Sequence, residues 1–165
     1  MKQLFLLRHA KSSWSDSDIK DFDRPLNKRG KENAPKMAAV LHSTYGAPDT
    51  ILVSPAKRTL DTAEYHLSEY KNDQITFIRD ERIYEAPGSR LAQVISELSE
   101  DAERVLLIGH NPGLSHLVLY LSGEALDMPT NGLAILDVHV DSWFALGPGI
   151  ASLRGYHYPK KDFAT

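Results

Sequence analysis

The 165-residue sequence contains no cysteine, which removes disulfide staples, thiolate nucleophiles and sulfur-ligated metals together. Nor is there an excess of basic charge: 19 Lys and Arg stand against 22 Asp and Glu, a net charge of -3. Affinity for a nucleic-acid backbone rests on clustered Lys and Arg, so no nucleic-acid partner is expected. No apolar run approaches the roughly 18 residues needed to span a bilayer, and Leu4 to Leu7 is too short for the apolar segment of a secretory leader. The expectation is a cytoplasmic protein with no membrane partner. No repeat, low-complexity tract or linker divides the chain, whose length suits a single domain, residues 1–165.

Ligand motifs are scarce as well. His42, His66, His116, His139 and His157 form no compact metal-binding pattern. Gly109 and Gly113 make neither a dinucleotide fingerprint nor a phosphate loop, because the required lysine is missing. No metal and no cofactor is expected. Asp16, Asp18, Asp21 and Asp23 lie in polar sequence rather than directly after an apolar strand, and read as solvated loop charge.

What is present is an alternation of strand and helix patterns. Strands are expected at Gln3 to Leu7, Thr50 to Val53, Ile75 to Ile78 and Val105 to Ile108, with two more at Leu133 to Val140 and Ile150 to Tyr156. A helix begins near Asn27, with Ala34, Met37, Ala38 and Leu41 on its apolar face and Pro35 as an early turn or kink. Ser54-Pro55 reads as a second helix start, Ser capping and Pro at the first helical position, so that Arg58 falls in the first turn of a helix running to about Tyr70. Further helices follow around Leu91 to Leu98 and from Pro112 to Leu121. Alternation of this kind predicts an α/β fold, a three-layer αβα sandwich around a mostly parallel central sheet.

Three of the strands end in chemically pointed sequence: Arg8-His9, Ser54-Pro-Ala-Lys-Arg58 and Gly109-His110-Asn-Pro-Gly113. In a parallel α/β sheet the carboxyl ends of strands share one rim, where ligands bind. The combination suits a phosphoryl group, which in transfer is nearly all charge and is stabilised by donors aimed at its equatorial oxygens. Arg8 and Arg58 are the expected clamps, since a guanidinium pairs with phosphate through two parallel hydrogen bonds and stays charged. His9 is the candidate nucleophile and must be neutral to attack, a form that two neighbouring guanidinium groups favour by repulsion. His110 is a further donor. The polar stretch Lys11 to Lys28 reads as a pocket wall, with Ser12, Ser13 and Arg24 as rim contacts. Trp14 fits either a rim contact or a loop anchor, and Trp143 fits packing.

Leu7-Arg8-His9-Ala10-Lys11-Ser12, then Arg24-Pro-Leu-Asn27 followed by Gly30, then Ser54-Pro55 with Arg58, and finally Gly109-His110-Asn-Pro112 occur in an order and spacing that resemble the histidine phosphatase superfamily. Among its members the chain is most similar to the short SixA-type phosphohistidine phosphatases, over nearly its whole length. The resemblance implies a phosphoglycerate mutase-like fold and a phosphohistidine intermediate on His9, with Arg8, Arg58 and His110 completing the pocket. It places a carboxylic proton donor after the third strand, with Glu81 the best match, Glu85 second and Asp80 third. Ala10 stands where the wider superfamily usually has glycine. The long insertions of the mutases are absent, which implies a shallow pocket suited to a phosphorylated protein, such as a histidine-containing phosphotransfer domain. A general phosphomonoesterase for small metabolites or phosphoserine and phosphothreonine is the rival activity, and a non-catalytic phosphate-binding module the rival without turnover.

Overall fold

The computed structural model describes residues 1–71 and 73–163. Six strands form one sheet: β1 (Lys2–Arg8), β2 (Thr50–Val53), β3 (Thr76–Arg79), β4 (Arg104–Gly109), β5 (Leu133–Val138) and β6 (Ala151–His157). Their spatial order is β3-β2-β4-β1-β5-β6. β1 pairs in parallel with β4, β4 with β2 and β2 with β3, whereas β5 runs antiparallel to both β1 and β6. The sheet is therefore mostly parallel, as the alternation of elements predicts.

Side chains alternate across a strand, and the central strands are apolar on both faces because helices cover both. Leu4, Leu6, Leu52, Val105 and Leu107 face one layer, made by α3 (Gly88–Ser96) and α4 (Gly113–Ser122) through Leu91, Ile95, Leu114 and Leu117. Phe5, Leu7, Ile51, Val53, Leu106 and Ile108 face the other, made by α1 (Lys28–Tyr45) and α2 (Lys57–Glu69) through Met37, Leu41 and Ala63. Each fully buried aliphatic side chain here is worth about 1.5–3 kcal/mol. A short α5 (Pro159–Asp162), which the sequence pattern does not announce, follows β6. Among the described residues no helix is long and apolar enough to cross a membrane.

Local signals placed the helices well, with one exception. The side chain of Asn27 accepts from the Gly30 amide and caps α1, and the helix continues through Pro35. Ser54 does not cap α2: the cap position is Ala56, and Ser54 Oγ faces His110 instead. The first turn still carries Arg58.

The topology locates a site. The chain leaves β1 through α1 toward β2, on one side of the sheet's centre, and leaves β4 through α4 toward β5, on the other side and over the opposite face. β1 and β4 are neighbours, so their carboxyl ends flank the switch point at which an open α/β sheet binds its ligand.

One close approach fixes the wall of this region. A Cβ at Gly30 would run into the carbonyl oxygen of Lys11, which also accepts from the Asn27 amide. Gly30→Ala is therefore expected to lower stability by about 1–3 kcal/mol in urea denaturation through overpacking. Gly147→Ala, which meets only a carbonyl oxygen at 4.0 Å, should stay within about 0.5 kcal/mol of the parent.

Candidate active site

His9 follows β1, Arg58 lies in the first turn of α2 and His110 follows β4, and the three side chains meet. The imidazoles of His9 and His110 are 5.4 Å apart, centre to centre, with the Arg58 guanidinium bridging them. Arg58 Nε donates to His9 Nε2 at 3.3 Å, and Nη2 donates to His110 Nδ1 at 3.3 Å. All three residues are buried, at 5 %, 3 % and 4 % exposure for His9, Arg58 and His110. They line a pocket of about 260 Å³ with Arg8, Lys11, Ser12, Trp14, Arg24 and Glu85.

The second nitrogen of each ring is held by the fold. His9 Nδ1 lies 2.7 Å from the carbonyl oxygen of Ala10, which assigns its proton to Nδ1 and leaves the Nε2 lone pair, on the pocket side, to accept from Arg58. His110 Nε2 lies 2.8 Å from Ser54 Oγ, at the end of β2. With Arg58 donating to Nδ1, His110 is then the Nε2–H tautomer. Arg8 Nη1 donates at 3.0 Å to the Met128 carbonyl, which also takes a hydrogen bond from Asn111 Nδ2. Asn111 Oδ1 in turn accepts from the Ser115 amide in the first turn of α4.

Both imidazoles are strongly biased to the neutral state. Burial lowers His9 to about 3, with Arg58, Arg8 and Arg24 adding repulsion against the opposing pull of the Ala10 carbonyl. Burial also lowers His110 to about 3, reinforced by His9 and Arg58. Guanidinium repulsion, which the sequence suggested as the cause, is thus secondary to desolvation. A neutral His9 carries the lone pair that attack on phosphorus requires.

Of the three acidic candidates after β3, the structure places Glu85 rather than Glu81 in the pocket lining. Glu81 is exposed, lies outside the lining of the pocket and heads a 3-10 turn, Glu81–Ile83. Glu85 occupies the pocket instead: Oε1 accepts from Arg58 Nη2 at 2.9 Å and lies 3.8 Å from His110 Nδ1. The turn at Glu81–Ile83 carries the chain back toward the rim, and Glu85 sits there with a left-handed backbone, φ 50°. Such a conformation costs a non-glycine residue about 1–2 kcal/mol. Asp80 is turned away, binding Arg82 at 2.8 Å.

Asp21, read as solvated charge, also belongs to the pocket. Its carboxylate accepts from Arg58 Nη2 at 3.1 Å and from the Tyr84 hydroxyl at 2.6 Å. Partial burial opposes its ionisation, but the Tyr84 hydrogen bond and the charges of Arg58 and Arg24 hold it below the usual range. Nothing in the local pattern Asp-Phe-Asp distinguishes this residue. Ser12 and Arg24 are joined at 2.6 Å, with the Arg24 guanidinium stacked 3.4 Å from the centre of the exposed Trp14 ring. Arg24 Nε and Nη1 are buried without a hydrogen-bond partner among the described residues, but Nε lies 3.5 Å from Asp21 Oδ1, so Nη1 is the donor that remains at the pocket wall. Ser13 is turned to Ser15 at 2.8 Å. Trp143 is fully buried and donates to the Ala102 carbonyl.

The sequence profile of the histidine phosphatase superfamily (branch 1) matches residues 4–93. The chain belongs to that superfamily. An uncharacterised chloroplastic protein of Arabidopsis thaliana is 35 % identical over 96 % of this chain and 78 % of its own length. An uncharacterised protein of Mycobacterium tuberculosis is 30 % identical over 93 % of this chain and 100 % of its own length. Among solved structures, SixA from Agrobacterium tumefaciens is 28 % identical, covers 96 % of this chain and 98 % of its own, and superposes with a TM-score of 0.82. This superfamily member is thus SixA-type, with the phosphoglycerate mutase-like fold that the motifs implied.

The neutral imidazoles have a measurable consequence. His9, His110 and the fully buried His66, also lowered to about 3 by burial, should remain neutral in an NMR titration at pH 5, where an ordinary imidazole is about 97 % protonated. Unfolding releases these rings to their ordinary value near 6.5, so the unfolded chain binds protons that the native state refuses. Stability should therefore fall as pH drops from about 6.5 toward 3, by at most about 1.4 kcal/mol per pH unit for each ring. Equal denaturation midpoints at pH 7 and pH 5 would contradict this assignment.

Proposed function

We propose that this phosphatase removes the phosphoryl group of phosphohistidine on a protein, without a metal, through a covalent phosphohistidine on His9. The observation that carries the reading is the neutral His9, its Nδ1 tied to Ala10 and its Nε2 turned toward a pocket flanked by Arg8, Arg58 and His110. In the first displacement, His9 Nε2 attacks phosphorus as the bond to the substrate imidazole nitrogen breaks, and that nitrogen leaves with the bonding pair and takes up a proton from solvent, while His9 keeps its Nδ1 proton. In the second, water attacks the phosphorus on His9, the P–Nε2 bond breaks with its electron pair returning to the ring, and inorganic phosphate departs keeping one proton of the water while the other passes to solvent. Arg8, Arg58 and Arg24 offer the positive charge that a metal would otherwise supply to the equatorial oxygens. The Agrobacterium SixA protein is described provisionally as a phosphohistidine phosphatase, which favours the same substrate class. A histidine-containing phosphotransfer domain is the corresponding protein partner.

A second reading, hydrolysis of alkyl phosphates, is favoured by one observation: Glu85 places a carboxyl group beside Arg58 and His110, where it can hand a proton to a leaving alkoxide. Imidazole is the better leaving group and needs this help less.

Release of phosphate from a phosphorylated histidine-containing phosphotransfer protein tests the substrate directly, and no release at high enzyme concentration would refute it. His9→Ala is expected to lower turnover by about 1000-fold or more and to abolish acid-labile phosphate on the enzyme. Glu85→Gln should slow an alkyl phosphate such as O-phosphoserine more than phosphohistidine, while Glu81→Gln should leave both rates within about twofold. Equal slowing by the two variants would remove Glu85 from the proton-transfer role.

A further inference from the structure

A second cavity, of about 590 Å³, opens beside the phosphoryl pocket and shares Lys11 and Thr130 with it as common walls. One side is a stripe of α1, Arg29, Glu32, Asn33 and Lys36, at the three- and four-residue spacing that puts side chains on one face of a helix. The facing side includes Lys160 of α5. Among the described residues, four cations, Lys11, Arg29, Lys36 and Lys160, thus stand around a single carboxylate, Glu32. All four are exposed, and none forms an ion pair with a described residue. Lys36 rests its ammonium 5.8 Å from the centre of the Phe163 ring.

This concentration of positive charge is local, because the chain as a whole carries -3. A cleft lined by one sign of charge draws the opposite sign to itself. From Arg29 to Lys36 the stripe runs about 10 Å along the helix at 1.5 Å per residue, the length of about three residues of extended chain. A single carboxylate would use one of these cations, whereas a short run of acidic residues meets several. We infer that the cleft between α1 and α5 seats an acidic peptide segment flanking the phosphorylated residue of the protein substrate. The inference rests on the protein-phosphohistidine reading above and adds to it a sequence preference in the substrate.

The ridge between cleft and pocket is rigidly tied to the reaction centre. Asn131, with a left-handed backbone of φ 62°, donates its amide to the carbonyls of Arg8 and His9, and its side-chain nitrogen donates to the Asn33 carbonyl on α1. The spacing between the cationic stripe and His9 is therefore set by hydrogen bonds, and a bound acidic segment keeps a fixed register to the phosphoryl group.

Two synthetic peptides, each with one histidine phosphorylated by phosphoramidate, provide the test: one has Asp and Glu around that histidine, the other Asn and Gln. Each exposed ion pair contributes about 1.4- to 5-fold, so several together should give the acidic peptide a kcat/KM advantage of about tenfold or more. The advantage should shrink toward unity at about 0.5 M salt. It should be lost in the Lys36→Ser, Lys160→Ser double variant, with para-nitrophenyl phosphate turnover unchanged. Equal turnover of both peptides by the parent enzyme, or an advantage that survives in the double variant, would overturn the cleft assignment and leave the phosphohistidine reading standing. Hydrolysis of para-nitrophenyl phosphate with neither peptide turned over would overturn both.

Discussion

The buried guanidinium of Arg58 is the constraint on which the site depends. Its Nε holds His9, its Nη2 holds His110, Glu85 and the Asp21 carboxylate, and its Nη1 holds the Asp21 carbonyl. One side chain thereby joins the end of β1, the start of α2, the end of β4 and the two loops that wall the pocket. A charge at 3 % exposure is tolerable only when paired and fully hydrogen-bonded. Asp21 and Glu85 meet that requirement from the solvent side, where they remain about half exposed.

The same arrangement explains how basic groups crowd together without protonating the rings. His9 and His110 are kept neutral first by removal from water and only then by neighbouring positive charge. An arriving phosphoryl dianion reverses that field, since the cations that repel a proton attract its oxygens. The free pocket is thus prepared for negative charge, and the preparation is made when the chain folds rather than when the ligand arrives.

Much of this was legible along the chain. The apolar run Leu4 to Leu7 had to be a buried strand, and the helical spacing of Ala34, Met37, Ala38 and Leu41 matches the face that is buried. Arg8, His9, Arg58 and His110 stood out because each follows or closely succeeds a strand whose end faces the common rim. Glu81 against Glu85 was harder. A motif counts residues along the chain, but a 3-10 turn and one left-handed residue decide which carboxylate returns to the pocket. Ser54-Pro55 is a strong local signal for a helix cap, while the Ser54 hydroxyl is engaged by His110, 56 positions away. Asp21 offered no signal, since its pairing with Arg58 and Tyr84 is made across the fold.

By itself the sequence determined the alternation of elements, the two-sided core and the identities of the groups that meet at the rim, because periodicity and strand-end chemistry are local properties of a chain. Tertiary structure alone decided which carboxylate enters the pocket, how each imidazole is oriented, and that α1 and α5 enclose a cationic cleft next to it. Those are matters of distance between residues far apart in the chain, and burial and field strength depend on that distance.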